Sequence, residues 1–246
     1  MLHQLNSYDA EQKISVLQNN VGHLTHTISN VSQKIFLMFE QGAKGTVYLQ
    51  DDSSVQKAMI EYHITLEKYA QFDFLATMIN SSHLSVMIYV YLKGDGAQAS
   101  IKGIYALSGD QNVSIKTFQY HTGPRTKSDV LMKGMLKDRG QALYEGLIFI
   151  GEHGKKTEAS LENKNILLSK QAKVISIPSI EVLQHDVQCS HGSAIGKFDE
   201  DQLWYLQSRG FTKQKAYELL VESFFKEIMQ GFEDKKVMEK LCQKMI

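Results

Sequence analysis

Along most of the chain, apolar and polar residues alternate with period two. The segments Gln33–Phe39, Gly45–Gln50, Met59–Leu66, Leu84–Leu92, Gln98–Leu107, Val113–Tyr120, Leu143–Ile150 and Val174–Val182 are rich in Ile, Val, Tyr, Phe or Leu. Most are separated by turn-forming residues, as in Gly94-Asp95-Gly96, Gly109-Asp110-Gln111-Asn112, Lys137-Asp138-Arg139-Gly140 and Gly151-Glu152-His153-Gly154. Such runs read as strands, because successive side chains on a strand point to opposite faces. From about residue 13 to 190 no helical pattern interrupts them. That excludes a doubly wound sheet, whose strands alternate with helices, and leaves a sandwich, a barrel or a β-solenoid. Two echoes favour the solenoid. Lys102-Gly103 opens an apolar run, and Lys133-Gly134 does so again. Asn165-Ile166-Leu167-Leu168-Ser169 leads round a corner into Lys173-Val174-Ile175-Ser176-Ile177. Stacked repeats bury a continuous core. The pattern alone leaves solenoid and sandwich level.

Near residue 198 the period changes. Asp199 with Gln202 three positions on forms a capping box, and Gly210 stands where a glycine ends a helix. Thr212 is a second N-cap, and Ala216, Leu219, Leu220, Phe224, Ile228 and Met229 recur at helical spacing to Gly231. Val237, Leu241 and Met245 mark a third, short amphipathic helix. The expected organisation is a β domain over 1–197 and a helical domain over 198–246. The helices would pack on the β domain or offer a groove to a partner.

Composition narrows the class. The 246 residues carry 27 Lys+Arg and 27 Asp+Glu, which predicts no general affinity for nucleic acid or anionic membrane. The two cysteines, Cys189 and Cys242, make no disulfide framework and suit a reducing compartment. Met1-Leu2-His3-Gln4-Leu5-Asn6 has neither the basic flank nor the apolar stretch of a signal peptide, and no apolar run is long enough for a bilayer. A cytoplasmic protein is expected.

Candidate chemistry centres on His185-Asp186-Val187-Gln188-Cys189-Ser190-His191-Gly192. A strand there places His185, Cys189 and His191 on one face, a thiol and imidazoles that suit a soft metal. The plainer alternative makes Cys189 a small buried hydrophobe and lets His191 cap the next turn. Packing explains Cys242, a turn explains His121-Thr122-Gly123-Pro124-Arg125, and a favourable helix dipole explains Arg209. Phe224, Phe225, Ile228 and Met229 read as core, although a helix apolar on more than one side also suits a partner. The chain has no glycine-rich phosphate loop with Lys-Ser/Thr, no nucleophile elbow and no CxxC, so no bound nucleotide is expected.

The C-terminal block resembles the SufB/SufD family of iron–sulfur cluster assembly proteins, on the SufD side. It comprises Asn165-Ile166-Leu167-Leu168-Ser169, Pro178-Ser179-Ile180-Glu181-Val182, Asp186–Gly192, Ile195–Leu203 and Tyr205-Leu206-Gln207-Ser208-Arg209-Gly210. Gly103–Leu107, Gly109-Asp110-Gln111, Ser128 and Lys133-Gly134 look like the family's rungs. The resemblance covers about residues 84–230.

That resemblance implies a right-handed parallel β-helix with C-terminal helices. It implies a non-enzymatic scaffold subunit that docks a SufC-type ABC ATPase on those helices. The β-helix would pair with a SufB-like partner or with itself, and a transient iron–sulfur cluster would form at the interface. Cys189 and His191 match the family's interface positions, with His185 a weaker addition. Clusters need thiolates, with imidazole an occasional substitute, so one Cys and one His make half a site. Cys-Ser-His-Gly stands where SufB has His-Glu-Ala-Thr, and SufB's extra cysteines are missing. The family's N-terminal helical region has no counterpart here, so a minimal or divergent member is expected. Two alternatives stand beside this reading. One is a purely architectural ATPase-binding subunit. The other is a β-helix enzyme acting on polysaccharide, which would need charged residues clustered on one solenoid face.

Overall fold

A computed structural model describes residues 2–4, 10–28, 32–51, 55–230 and 236–246, with side chains from residue 10 onward. Gly231 and parts of the first six residues lie outside this set. The strands are β1 (Leu2–Gln4), β2 (Glu11–Val16), β3 (Val21–Ile28), β4 (Gln33–Phe39), β5 (Lys44–Asp51), β6 (Lys57–Leu66), β7 (Gln71–Met78) and β8 (His83–Leu92). They continue as β9 (Gln98–Leu107), β10 (Asn112–His121), β11 (Lys127–Leu136), β12 (Gln141–Ile150), β13 (Thr157–Leu167), β14 (Lys173–Val182) and β15 (Val187–Gly196). Three helices follow: α1 (Glu200–Ser208), α2 (Lys213–Met229) and α3 (Lys236–Met245).

Odd-numbered strands form one sheet, A, in the order β1 to β15, and even-numbered strands form the other, B, in the order β14 to β2. Every pairing between neighbours is parallel, as for β9 with β11 and β10 with β12. Each coil of chain therefore contributes one strand to each sheet, which makes a β-solenoid and rules out the sandwich. The Lys-Gly echo is out of register: Lys102 pairs with Leu131, and Met132 with Gly103. The true step here takes Gln98 to Lys127. Turn lengths vary from coil to coil, so spacing along the chain does not by itself report register.

One corner explains how the coils stay aligned. Asn19, Gly42, Tyr69, Gly96, Arg125 and Lys156 all have positive φ, between 55° and 69°. Each donates its backbone N–H to a carbonyl of the next coil, from Asn19 to Gln41 at 3.0 Å through to Lys156 to Asp186 at 2.6 Å. Only Gly and, less readily, Asn and Asp adopt this conformation at low cost, so the three remaining cases, Tyr69, Arg125 and Lys156, are held by the stack itself.

The interior is filled by inward residues such as Phe39, Tyr62, Phe72, Phe74, Tyr105 and Tyr144, all under 2% exposed. Fully burying a large apolar side chain contributes about 1.5–3 kcal/mol. The buried tyrosines keep their hydroxyls bonded: Tyr144 to Thr117 Oγ1 at 2.8 Å, and Tyr105 to Asn163 Nδ2 at 2.9 Å. His121 closes β10 inside the coil. Its Nδ1 and Nε2 lie 2.8 Å from Thr126 Oγ1 and Ser128 Oγ, and burial lowers its pKa to about 4.

The helices lie on sheet A, touching β9 and β11. A second apolar core joins Ile104, Ala106, Leu131 and Met135 of the sheet to Val221, Phe225, Ile228 and Leu241. Phe224, Met229 and Cys242 pack against it, as their spacing predicts. Asp199 caps α1, accepting from the Asp201 N–H at 2.9 Å. At its far end Gly210 takes φ 92°, its N–H bonds Gln207 O at 2.9 Å, and Phe211 N–H bonds Leu206 O at 3.3 Å. That pair of bonds is a Schellman motif. Thr212 Oγ1 caps α2 through Lys215 N–H at 3.2 Å. Among the described residues, no helix is long and apolar enough to cross a membrane.

Candidate functional site

The last coil differs from those before it. Strands β14 and β15 end their respective sheets, so among the described residues each ten-residue strand leaves one backbone edge without a partner strand. Their inward residues are only partly covered, because no further coil lies beneath them. Val174, Ile180, Val187 and Cys189 pack on the main core from this open end. Ile175, Ile177, Val182, Leu183 and Ile195 are exposed, Ile175 by 59%. Long, exposed apolar edges are rare in monomers because they recruit other strands.

Cys189 and His191 both sit on β15, in register with buried Ala159 and Leu161 of β13. They therefore share the inward-facing side of the last coil. Cys189 is half-buried and His191 is exposed. Successive positions on one strand face lie about 6.6–6.8 Å apart, close enough to serve one multinuclear group. His191 stands within the strand and caps no turn. His185 does not join them. It precedes β15 in the bend where Lys156 N–H of the preceding coil bonds Asp186 O, and its own N–H bonds Gln184 Oε1 at 2.9 Å. The corner stack overrides the period-two extrapolation by which the three shared a face. Among the described residues, no three His, Cys, Asp or Glu side chains gather as a metal site. The pair stands as two donors at an open edge.

Other features escaped the sequence. A groove of about 610 Å³ runs across sheet A from β7 to β15. Asp73, Ser100, Asp129, Ser160 and Ser190 stand in register along it, and it ends beside Cys189. Burial pushes the Asp73 carboxyl up, and Lys102 opposes that shift. Only strand register could have revealed this row, since its members are about 30 residues apart. A second hollow of about 850 Å³ separates the helices from β13, with Leu168, Phe198, Leu203 and Tyr217 among Lys137, Lys197 and Lys213. Helix α1 buries no residue and presents Trp204, 70% exposed, and Tyr205.

Two lysines tie the helices down. Lys133 on β11 is 6% exposed; its Nζ donates to Phe224 O and pairs with Glu227, both at 2.9 Å. Lys244 on α3 donates to Gln111 Oε1 at 2.6 Å and to Ile79 O, and burial lowers its pKa to about 8.

The class of protein is a parallel β-solenoid with a covering helical layer and a thiol–imidazole pair on its last coil. Residues 3–224 match the family model described as SUF system FeS cluster assembly, SufBD core domain. The chain belongs to that family. It is 29% identical over 154 residues to the iron-sulfur cluster assembly protein SufD of Escherichia coli K12, covering 63% of this chain and 36% of that protein. It is 27% identical over 219 residues to an iron-sulfur cluster assembly SufBD family protein of Mycobacterium leprae, covering 85% of this chain and 56% of the relative. A SufBD family protein of Mycobacterium tuberculosis H37Rv is 27% identical over 244 residues, covering 89% and 62% respectively. The chain thus spans about a third to three-fifths of the length of these relatives.

Proposed function

We propose that this chain is a non-catalytic scaffold subunit of iron–sulfur cluster assembly, cytoplasmic, whose open last coil pairs with a second β-solenoid. The observation that carries the proposal is the coincidence of Cys189 and His191 with two unpaired strand edges. A partner strand set against β14 and β15 would cover the apolar end and bring further ligands to the pair. The cluster is cargo, held across the interface. Thiolate and imidazole supply half of its ligands, and His185 lies outside the set. The second solenoid is a SufB-like protein or another copy of this chain.

The helices dock a SufC-type ABC ATPase in this reading. The support is α1, which buries nothing and offers Trp204 and Tyr205 to a partner. Its movement would open or close the solenoid interface. The division at about residue 197 then separates a cluster-building part from an ATPase-binding part.

The double variant Cys189→Ala/His191→Ala tests the site. Cluster formation on the assembled complex is expected to be lost, while co-purification with the ATPase survives. Unchanged cluster formation would leave the architectural reading, which the packing of Cys189 on the core favours. Trp204→Ala should do the reverse, weakening ATPase capture without touching the thiol.

A further inference from the structure

The outer face of sheet B carries three adjacent columns in register. One reads Lys34, Glu61, Met87, Lys116 and Glu145 across β4 to β12. The next reads Phe36, His63, Tyr89, Phe118 and Leu147. The third reads Met38, Thr65, Tyr91, Tyr120 and Phe149. The rings stack along the solenoid: His63 on Tyr89 at 4.8 Å, Tyr89 on Phe118 at 4.8 Å, Tyr91 on Tyr120 at 5.2 Å. The helices sit on the other sheet. Met38 and Met59 stand out at 45% and 46% exposed.

We propose that this face is the contact between two copies of the chain, packed face to face about a two-fold axis that runs parallel to the strands over β8. The charges argue for it. The first column holds two internal ion pairs, Lys34–Glu61 at 3.2 Å and Lys116–Glu145 at 2.5 Å, on either side of Met87. A two-fold over β8 reverses the order of coils while keeping each column over itself. It sets Lys34 over Glu145 of the second copy, Glu61 over Lys116, and Met87 over Met87. Each ion pair thus faces the opposite dipole. Across the three columns no charge meets one of like sign. Tyr89 and Tyr91 meet their own counterparts, and Phe36 meets Leu147. A self-complementary patch is what an isologous contact requires. Its size also fits. Five strands at ~4.8 Å by eight residues at ~3.3 Å give roughly 630 Å² per copy, at the lower end of the ~600–1,000 Å² each partner buries in a standard interface.

This contact is independent of the end-on pairing proposed above, and the test separates them. In a chain carrying Cys189→Ser and Cys242→Ser, Met87→Cys lies on the axis and Ile175→Cys lies at the open end. Under a short bismaleimide, Met87→Cys is expected to give a covalent dimer whether or not Ile175→Cys does. Linkage at Ile175 without linkage at Met87 overturns the face contact and leaves end-on pairing standing. Sedimentation of the unmodified chain should give at least twice 27.9 kDa. A mass of one chain at every concentration overturns the proposal. The fourfold swap Lys34→Glu, Glu61→Lys, Lys116→Glu, Glu145→Lys keeps both internal pairs, so folding is spared. Swapped chains should pair with each other, and at least ~10-fold more weakly with unswapped chains, since like charges then oppose. Free mixing of the two would overturn the proposal.

Discussion

The two sheets of the solenoid solve the same problem in opposite ways. Sheet A hides part of its outer face, over β9 and β11, beneath α2 and α3, so β11 is buried on both sides over most of its length. Sheet B keeps its outer face bare of helices and covers its apolar atoms with their own neighbours, ring on ring along the coils. The first arrangement concentrates energy in a few buried residues of the helical layer. The second spreads it over many half-exposed contacts, each worth little. Stability should therefore be brittle on one side and tolerant on the other.

The sharpest test is Phe225→Ala, which empties a fully buried site between α2 and sheet A. It should cost about 3–5 kcal/mol in urea or thermal unfolding. A loss under about 1 kcal/mol would mean that the helical layer contributes little to the fold.

The interior shared by both sheets responds to pH instead. Burial holds His26 and His121 at about 4 in the folded chain. Their unfolded value is about 6.5, so between those limits the unfolded chain binds more protons. Stability then falls as pH drops from about 6.5 to 4, by about 3 kcal/mol per histidine at the acid end. His121→Gln should remove its share of that slope in unfolding measured across the range.

Lys133→Met keeps the volume but removes the bond to Phe224 O and the ion pair with Glu227. A loss of about 2 kcal/mol is expected, read as destabilisation of α2 by hydrogen exchange. On the bare sheet, Phe118→Ala removes the last ring of a stack. The stacking itself is worth about 0.5–1.5 kcal/mol, so the total should remain well below that of Phe225→Ala. Equal losses at the two positions would erase the contrast between the faces.

The same contrast decided what could be read from the chain. The even-numbered strands from β4 to β14 alternate cleanly because one face is core and the other is not, as the burial of β8, β10 and β12 shows. Their predicted limits differ from the observed ones by at most two residues. Odd-numbered strands such as β11, Lys-Ser-Asp-Val-Leu-Met-Lys-Gly-Met-Leu, lose the alternation because helices bury the outward residues too. The groove row from Asp73 to Ser190 was illegible for a related reason, since it exists only in register. Cys189 and His191 could be placed on one face from period two alone. Removing His185 from that face required the corner at Asp186, whose carbonyl is claimed by the coil above.

What the sequence by itself determined is local: strand period, turn chemistry, and the helix ends at Asp199, Gly210 and Thr212. These follow from backbone hydrogen bonding and sterics within a few residues. The tertiary structure decided which faces are covered, and by what. It buried Lys133, left the last coil open around Cys189, and aligned Lys34, Glu61, Lys116 and Glu145 in one column. Those outcomes depend on the register between coils some 26–32 residues apart, and variable turns hide that register from any linear pattern.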